Sequence, residues 1–184
     1  MPGDARRSSG LLLNSIRLMQ GHVVVAALMK ISIVVPAFNE EKLLPATLRS
    51  ITSAAAAFHA RGWETELIVC DNNSTDRTAE VARAGGAQAV FEPVNQISRA
   101  RNTGAAAATG GWLVFVDADS QPSRELFAEA AAAMMTGRFI GGGVTVRLDE
   151  FFPSLSFFTA LWNATSRIRK IGRASCRERV CYAV

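Results

Sequence analysis

Cysteine is scarce in this chain, and what there is excludes two classes of small fold. Only Cys70 of the three cysteines lies in the central body, at the end of an apolar run. No disulfide framework and no zinc-ligand spacing can be built from them. Cys70 reads as a small buried hydrophobe, and the usage fits a reducing, cytoplasmic setting. Long apolar runs are also missing. No stretch approaches the ~20 residues needed to span a bilayer. Arg6 and Arg7 precede Leu11, Leu12 and Leu13 in the manner of an export signal, but Asn14, Ser15 and Arg17 interrupt the run and no cleavage site follows. The body has no surplus of one charge either. The net charge of +4 comes entirely from the two ends, and residues 30–170 hold fourteen basic and fourteen acidic side chains. A basic footprint for nucleic acid belongs on the folded domain, so nucleic acid is not an expected partner. His59 reads as a surface residue at a helix end. Without an export signal, Asn73-Ser74-Thr75 and Asn163-Ala164-Thr165 carry little weight as glycosylation acceptors.

What the chain does have is hydrophobic content, at 49% of 184 residues, enough for one sizeable core. Both ends read as lying outside that core. Met29 stands directly before an apolar run, so translation from Met29 is expected, with 1–28 a non-native or disordered leader. Residues 171–180 lack helical or strand periodicity and resemble an in-frame translation of a sequencing-adapter oligonucleotide. Residues 171–184 therefore read as an artefactual tail, with the natural protein continuing past Lys170.

Between the ends, strand and helix patterns alternate. Residues 31–35 form a β-branched run closed by Pro36. Asn39 is expected to cap the following helix, with Glu40 and Glu41 at its positive end. Leu44, Leu48, Ile51, Ala55 and Phe58 then mark one buried helical face. Strands are expected at 66–70, 87–91, 112–116 and 141–147. Helices are expected from Thr75 to Ala84, from Ser98 to Ala108, from a Ser123 cap to Met135, and from Phe152 to Lys170. The last is rich in aromatics with a basic end. Its two readings are a core helix and a peripheral membrane contact through 151–170 at the inner face of the membrane. The alternation implies an α/β fold, a mostly parallel sheet with helices on both faces. In such sheets ligands sit beyond the carboxyl ends of the strands.

Polar clusters stand at three of those ends: 36–40, 71–76 and 117–120. Asp117 and Asp119 flank one alanine just past the most apolar strand. Two carboxylates so close repel each other, and a bound cation relieves that cost. Hard oxygen donors suit Mn²⁺ or Mg²⁺, which also bind diphosphate oxygens. Asp71 reads either as a turn former or as an acceptor for a nucleobase N–H. Arg101 reads as a solvated helix charge or as a partner for a diphosphate.

Four segments carry a resemblance: Val34-Val35-Pro36-Ala37-Phe38-Asn39-Glu40-Glu41, Leu67 through Asp76, Ser98 through Gly104, and Phe115-Val116-Asp117-Ala118-Asp119. Their order and spacing resemble the family 2 glycosyltransferases of the GT-A fold. The resemblance covers about 30–120. It implies that 29–170 is a nucleotide-sugar-binding domain, incomplete at its C-terminus. It implies that Pro36, Phe38 and Glu40 line a nucleoside site, that Asp71 holds the base, and that Arg101 and Asn102 border the ribose and diphosphate. It further implies that Asp117 contacts the nucleotide and that Asp119 is the main metal ligand, with Asp117 beside it. Asn72-Asn73 departs from the Asp-Gly of many relatives. The implied reaction moves a sugar from a UDP-sugar to a glycan, lipid or small-molecule acceptor, with inversion. Its general base is expected past Lys170, since Asp149 and Glu150 follow too closely on the Asp117 strand. Two rivals remain at this stage. One is an inert donor-binding fragment. The other is a nucleotidyltransferase, which calls for a Gly-rich basic loop where this chain has Pro36-Ala37-Phe38-Asn39.

Overall fold

The computed structural model describes residues 29–138, 141–143 and 180–183. The expectations for 1–28, for Asp149 and Glu150, for the 152–170 helix and for most of 171–184 lie outside the described residues. The described elements are β1 (Lys30–Ala37), α1 (Leu44–His59), β2 (Glu64–Asp71), α2 (Thr78–Ala84), β3 (Gln88–Phe91), α3 (Ile97–Ala107), β4 (Trp112–Phe115), α4 (Arg124–Met135), β5 (Gly141–Gly143) and β6 (Val180–Ala183). The strands form one sheet in the order β3-β2-β1-β4-β6-β5. Every described pairing is parallel. None of the described helices is long and apolar enough to cross a membrane.

Strand periodicity decides the layers. Ile31, Ile33 and Val35 point to one face, joining Val69, Val114 and Val116 under α1, α2 and α4. Phe58 of α1 packs on Phe127 of α4 with ring centroids 5.0 Å apart. Val34, Ile68 and Leu113 point to the other face, under α3. Burial on both faces explains why β1 reads as a continuous apolar run. Gly104 of α3 lies so close to Val34 and Cys70 that a Cβ there would overlap the Val34 side chain. The missing side chain is what lets α3 close onto the sheet.

Two helix starts differ from expectation. α1 begins at Leu44, its N-cap residue Leu43 makes no side-chain cap, and Asn39 does not cap it. Asn39 has a positive φ of 55° and spends its side chain on another loop. α2 begins at Thr78 rather than Thr75, because 73–77 form a loop with Asn73 at φ 62°. The Ser123 cap is as expected, its Oγ accepting from Leu126 N at 3.2 Å. β6 was not anticipated from the sequence. It takes up the edge that β4 turns away from β1, since an unpaired strand edge is a template for backbone pairing.

The sheet order reverses between β1 and β4. β1 leads outward to β2 and β3 on one side, while β4 lies on the other. A crevice opens beyond the carboxyl ends at such a switch point. Here it is flanked by the residues that follow β1, β2 and β4.

Candidate functional site

A cavity of about 380 Å³ occupies that crevice. Pro36, Phe38 and Glu40 line it from the end of β1, Asn72 from the end of β2, and Asp117, Ala118 and Asp119 from the end of β4. Ile97, the first residue of α3, completes the rim. Five residues expected in the site are therefore brought together: Pro36, Phe38, Glu40, Asp117 and Asp119. Phe38 is 47% exposed, an apolar ring standing open at the mouth.

The other three expected residues lie apart from the lining. Asp71 is buried at the end of β2, and its Oδ1 accepts from Ser74 N at 3.0 Å. It shapes the turn that presents Asn72. Arg101 reaches from α3 to Asp117, its Nη2 donating to Oδ1 at 2.8 Å. Asn102, next to it on α3, is exposed.

Several residues that hold the site escaped the sequence reading. The loop after β1 and the loop after β2 are laced together. Asn39 N donates to Ser74 Oγ at 2.9 Å, and Thr75 N donates to Asn39 Oδ1 at 2.8 Å. Glu40 N donates to Thr78 Oγ1 at 2.8 Å and Glu41 N to Asp76 Oδ2 at 3.0 Å. Arg77 N returns a bond to Glu41 Oε2 at 3.2 Å. Burial works against ionisation of Asp76, but its bonds from Thr78 and from the Glu41 N–H outweigh it and hold the carboxyl below its ordinary value. The polar density of 71–78 signals a turn, yet nothing local signals that its partner is 35 residues away.

A second clasp comes from Asn72. Its Nδ2 donates to Val94 O, and its Oδ1 accepts from Gln96 N at 2.9 Å, which fixes the entry to α3. Glu92 supports that loop, accepting from Thr103 Oγ1, Val94 N and Arg99 Nε, and these bonds lower its carboxyl. A third comes from α1. The buried Thr47 Oγ1 donates to Ala118 O at 2.7 Å, anchoring the backbone between the two aspartates. Thr47 sits on an amphipathic helix and gave no sequence signal.

The cavity wall is acidic. Burial, then the negative charges of Asp119 and Asp76, push the Glu40 carboxyl above its ordinary value. Asp117 is compensated in part by Arg101, whereas Asp119 has no hydrogen bond or ion pair to a described residue. Among the described residues no group of three or more His, Cys, Asp or Glu side chains could hold a metal by itself. A hard divalent ion held by one or two carboxylates with substrate phosphates and water needs no such cage. Asp119, with the second oxygen of Asp117, fits that kind of site.

Likenesses to known proteins bear on this geometry. An uncharacterized glycosyltransferase of Mycobacterium tuberculosis is 36% identical over 114 residues, 59% of this chain and 48% of the relative. The 4,4'-diaponeurosporenoate glycosyltransferase of Staphylococcus haemolyticus is 36% identical over 107 residues, 54% of this chain and 27% of the relative. The crystal structure of glucosyl-3-phosphoglycerate synthase from Mycobacterium tuberculosis, in complex with Mn²⁺, uridine diphosphate and glucosyl-3-phosphoglycerate, superposes with a TM-score of 0.53 at 31% identity. That match covers 63% of this chain and 44% of the synthase. The chain thus spans about half the length of the first of these relatives. The profile of Glycosyl transferase family 2 matches residues 32–174, which takes in every strand end that lines the cavity. The chain belongs to glycosyl transferase family 2.

Proposed function

We propose that residues 29–170 carry the donor-binding half of a glycosyltransferase that uses a UDP-sugar and a divalent metal. One observation carries the reading. Asp117 and Asp119 from β4 share a cavity at the sheet's switch point with Phe38 and Glu40 from β1. The similar synthase holds UDP and Mn²⁺, which supports the choice of base and ion.

In this reading Pro36 and Phe38 pack against the nucleoside, Asn72 meets the base with Asp71 behind it, and Asp117 meets the ribose. Asn102 borders the ribose and diphosphate, while its neighbour Arg101 is bonded to Asp117. Asp119, with Asp117 beside it, holds Mn²⁺ or Mg²⁺. When bound, the ion neutralises charge on the departing nucleoside diphosphate. Transfer itself is a displacement. The acceptor hydroxyl oxygen bonds to the anomeric carbon, the bond from that carbon to the diphosphate oxygen breaks, and the hydroxyl proton passes to a general base.

Calorimetric titration of UDP with and without MnCl₂ tests the reading. The wild type is expected to bind UDP in a Mn²⁺-dependent way, and Asp119→Ala is expected to abolish that dependence. Unchanged binding by the variant refutes the metal assignment. Parallel assays of donor hydrolysis and of transfer to an acceptor distinguish an active enzyme from a chain that only binds donor.

A further inference from the structure

Arg101 stands one helical turn before Gly104 on α3. Residues three apart share a helix face, so the close approach at Gly104 holds the base of Arg101 near the sheet. From there its guanidinium carbon lies 6.0 Å from the centroid of the Phe115 ring. Phe115 ends β4, and Asp117 follows two residues later. A guanidinium lying over that ring meets the Asp117 carboxylate beyond it, and the bond to Oδ1 is 2.8 Å. Arg101 Nε is buried and has no hydrogen-bond partner among the described residues. A desolvated N–H without an acceptor is costly, so the ring and Asp117 set the position of this guanidinium rather than a full set of acceptors. Asp117 lines the cavity; Arg101 stands behind it.

We propose that Arg101 is a positioning residue. It orients and charge-compensates Asp117 for the nucleoside, and it does not itself bind the donor's diphosphate. The inference rests on the nucleotide reading of the cavity and assigns Arg101 a different role from the one its neighbours in sequence suggest.

The test measures Kd for uridine, UMP and UDP at one fixed Mn²⁺ concentration. The proteins are wild type, Arg101→Met, Asp117→Asn, the double variant, and Arg101→Lys. Arg101→Met is expected to weaken uridine by about tenfold, the scale of one charge-assisted hydrogen bond. Because Arg101→Met also leaves an uncompensated carboxylate near the phosphates, the deciding comparison is made on the Asp117→Asn background, where that carboxylate is a neutral amide. There, loss of Arg101 should change the affinities for uridine, UMP and UDP by less than about twofold, since its charged partner is already gone. A loss of about tenfold or more for UDP alone on that background assigns Arg101 to the diphosphate and overturns the proposal. If the Met variants do not fold, Arg101→Lys supplies the comparison. It is expected to weaken uridine and UDP in equal proportion, and a UDP-specific loss overturns the proposal. If the wild type binds none of the three nucleotides, the nucleotide reading itself has failed and the positioning role falls with it.

Discussion

Glu66 offers the most quantitative perturbation, at the end of the sheet opposite the cavity. Its carboxylate accepts from Ser32 Oγ at 2.5 Å and from Thr109 Oγ1 at 2.8 Å, and it pairs with Lys30 Nζ at 2.7 Å. The backbone N–H groups of Thr109 and Gly110 also donate to it, at 2.6 and 3.1 Å. One side chain thus ties β2 to β1 and to the turn that feeds β4. Burial alone would raise the Glu66 carboxyl, but the bonds from Lys30, Ser32 and Thr109 outweigh it and bring it from 4.5 down to about 2. The folded value lies below the unfolded one, so the stabilisation is full above pH 4.5 and is lost as pH falls through about 2. At ~1.36 kcal/mol per pH unit between those values, the ceiling is about 3.4 kcal/mol. Glu66 and Lys30 are 19% and 36% exposed, and solvent screening brings the expected figure to about 2 kcal/mol.

Urea unfolding of the wild type and Glu66→Gln measures this directly. Glutamine keeps the shape and removes the charge. The variant is expected to lose about 2 kcal/mol at pH 7 and less than half of that at pH 3. Other carboxylates titrate in the same window, but they do so in both proteins, so the difference isolates Glu66. A cost below about 0.5 kcal/mol at pH 7 would refute the electrostatic argument. An equal cost at both pH values would trace the loss to the amide NH2 that replaces an acceptor oxygen, and not to the charge.

Two further substitutions probe the packing and the loops. Gly104→Ala gains up to about 1 kcal/mol of helix propensity, but its Cβ overlaps Val34 on the central strand, so a net loss of about 1–2 kcal/mol is expected. In a Val34→Ala background the cost of Gly104→Ala should shrink, and a higher urea midpoint for Gly104→Ala alone would contradict the close approach. Asp76→Ala removes the acceptor for Glu41 N and for Thr78 N and Oγ1, loosening the wall that carries Phe38 and Glu40. UDP affinity is expected to fall by about five- to tenfold, on the scale of one or two net hydrogen bonds, and an unchanged Kd would detach this lattice from the site.

The sheet was legible because burial on both faces leaves a plain trace. The runs at 31–35, 66–70 and 112–116 are β1, β2 and β4 to within a few residues. The helix starts were less legible because two side chains had two uses each. Asn39 is a good N-cap by type, but its left-handed backbone also lets it reach Thr75, and the loop contact won. Glu41, acidic ahead of a helix, serves the Arg77 backbone N–H and side chain rather than the helix end. Those choices depend on what lies across the crevice, which no local window contains. The same limit applies to Arg101. Its type and place suggested an anion, and the anion found in the structure is Asp117, sixteen residues further along the chain.

The hidden contacts share one consequence. β1 and β2 run side by side over eight residue pairs and are tied at both ends. Glu66 does this at the amino end, and the lattice of Asn39, Ser74, Thr75, Asp76 and Thr78 does it at the carboxyl end. Fixing both ends of a parallel pair leaves its loops few ways to move apart. The cavity wall formed by Phe38, Glu40 and Asn72 is therefore set before any ligand arrives, which lowers the ordering cost of binding. The β4 side is held more lightly, by Thr47 on Ala118 O and by Arg101 on Asp117. Rearrangement on ligand binding is accordingly expected at Asp117–Ser120 rather than at Phe38–Glu41. Hydrogen exchange on UDP and Mn²⁺ addition would register it as new protection on the β4 side, with the β1 side protected from the outset. Equal new protection on both sides would mean that the lattice does not preorganise the wall.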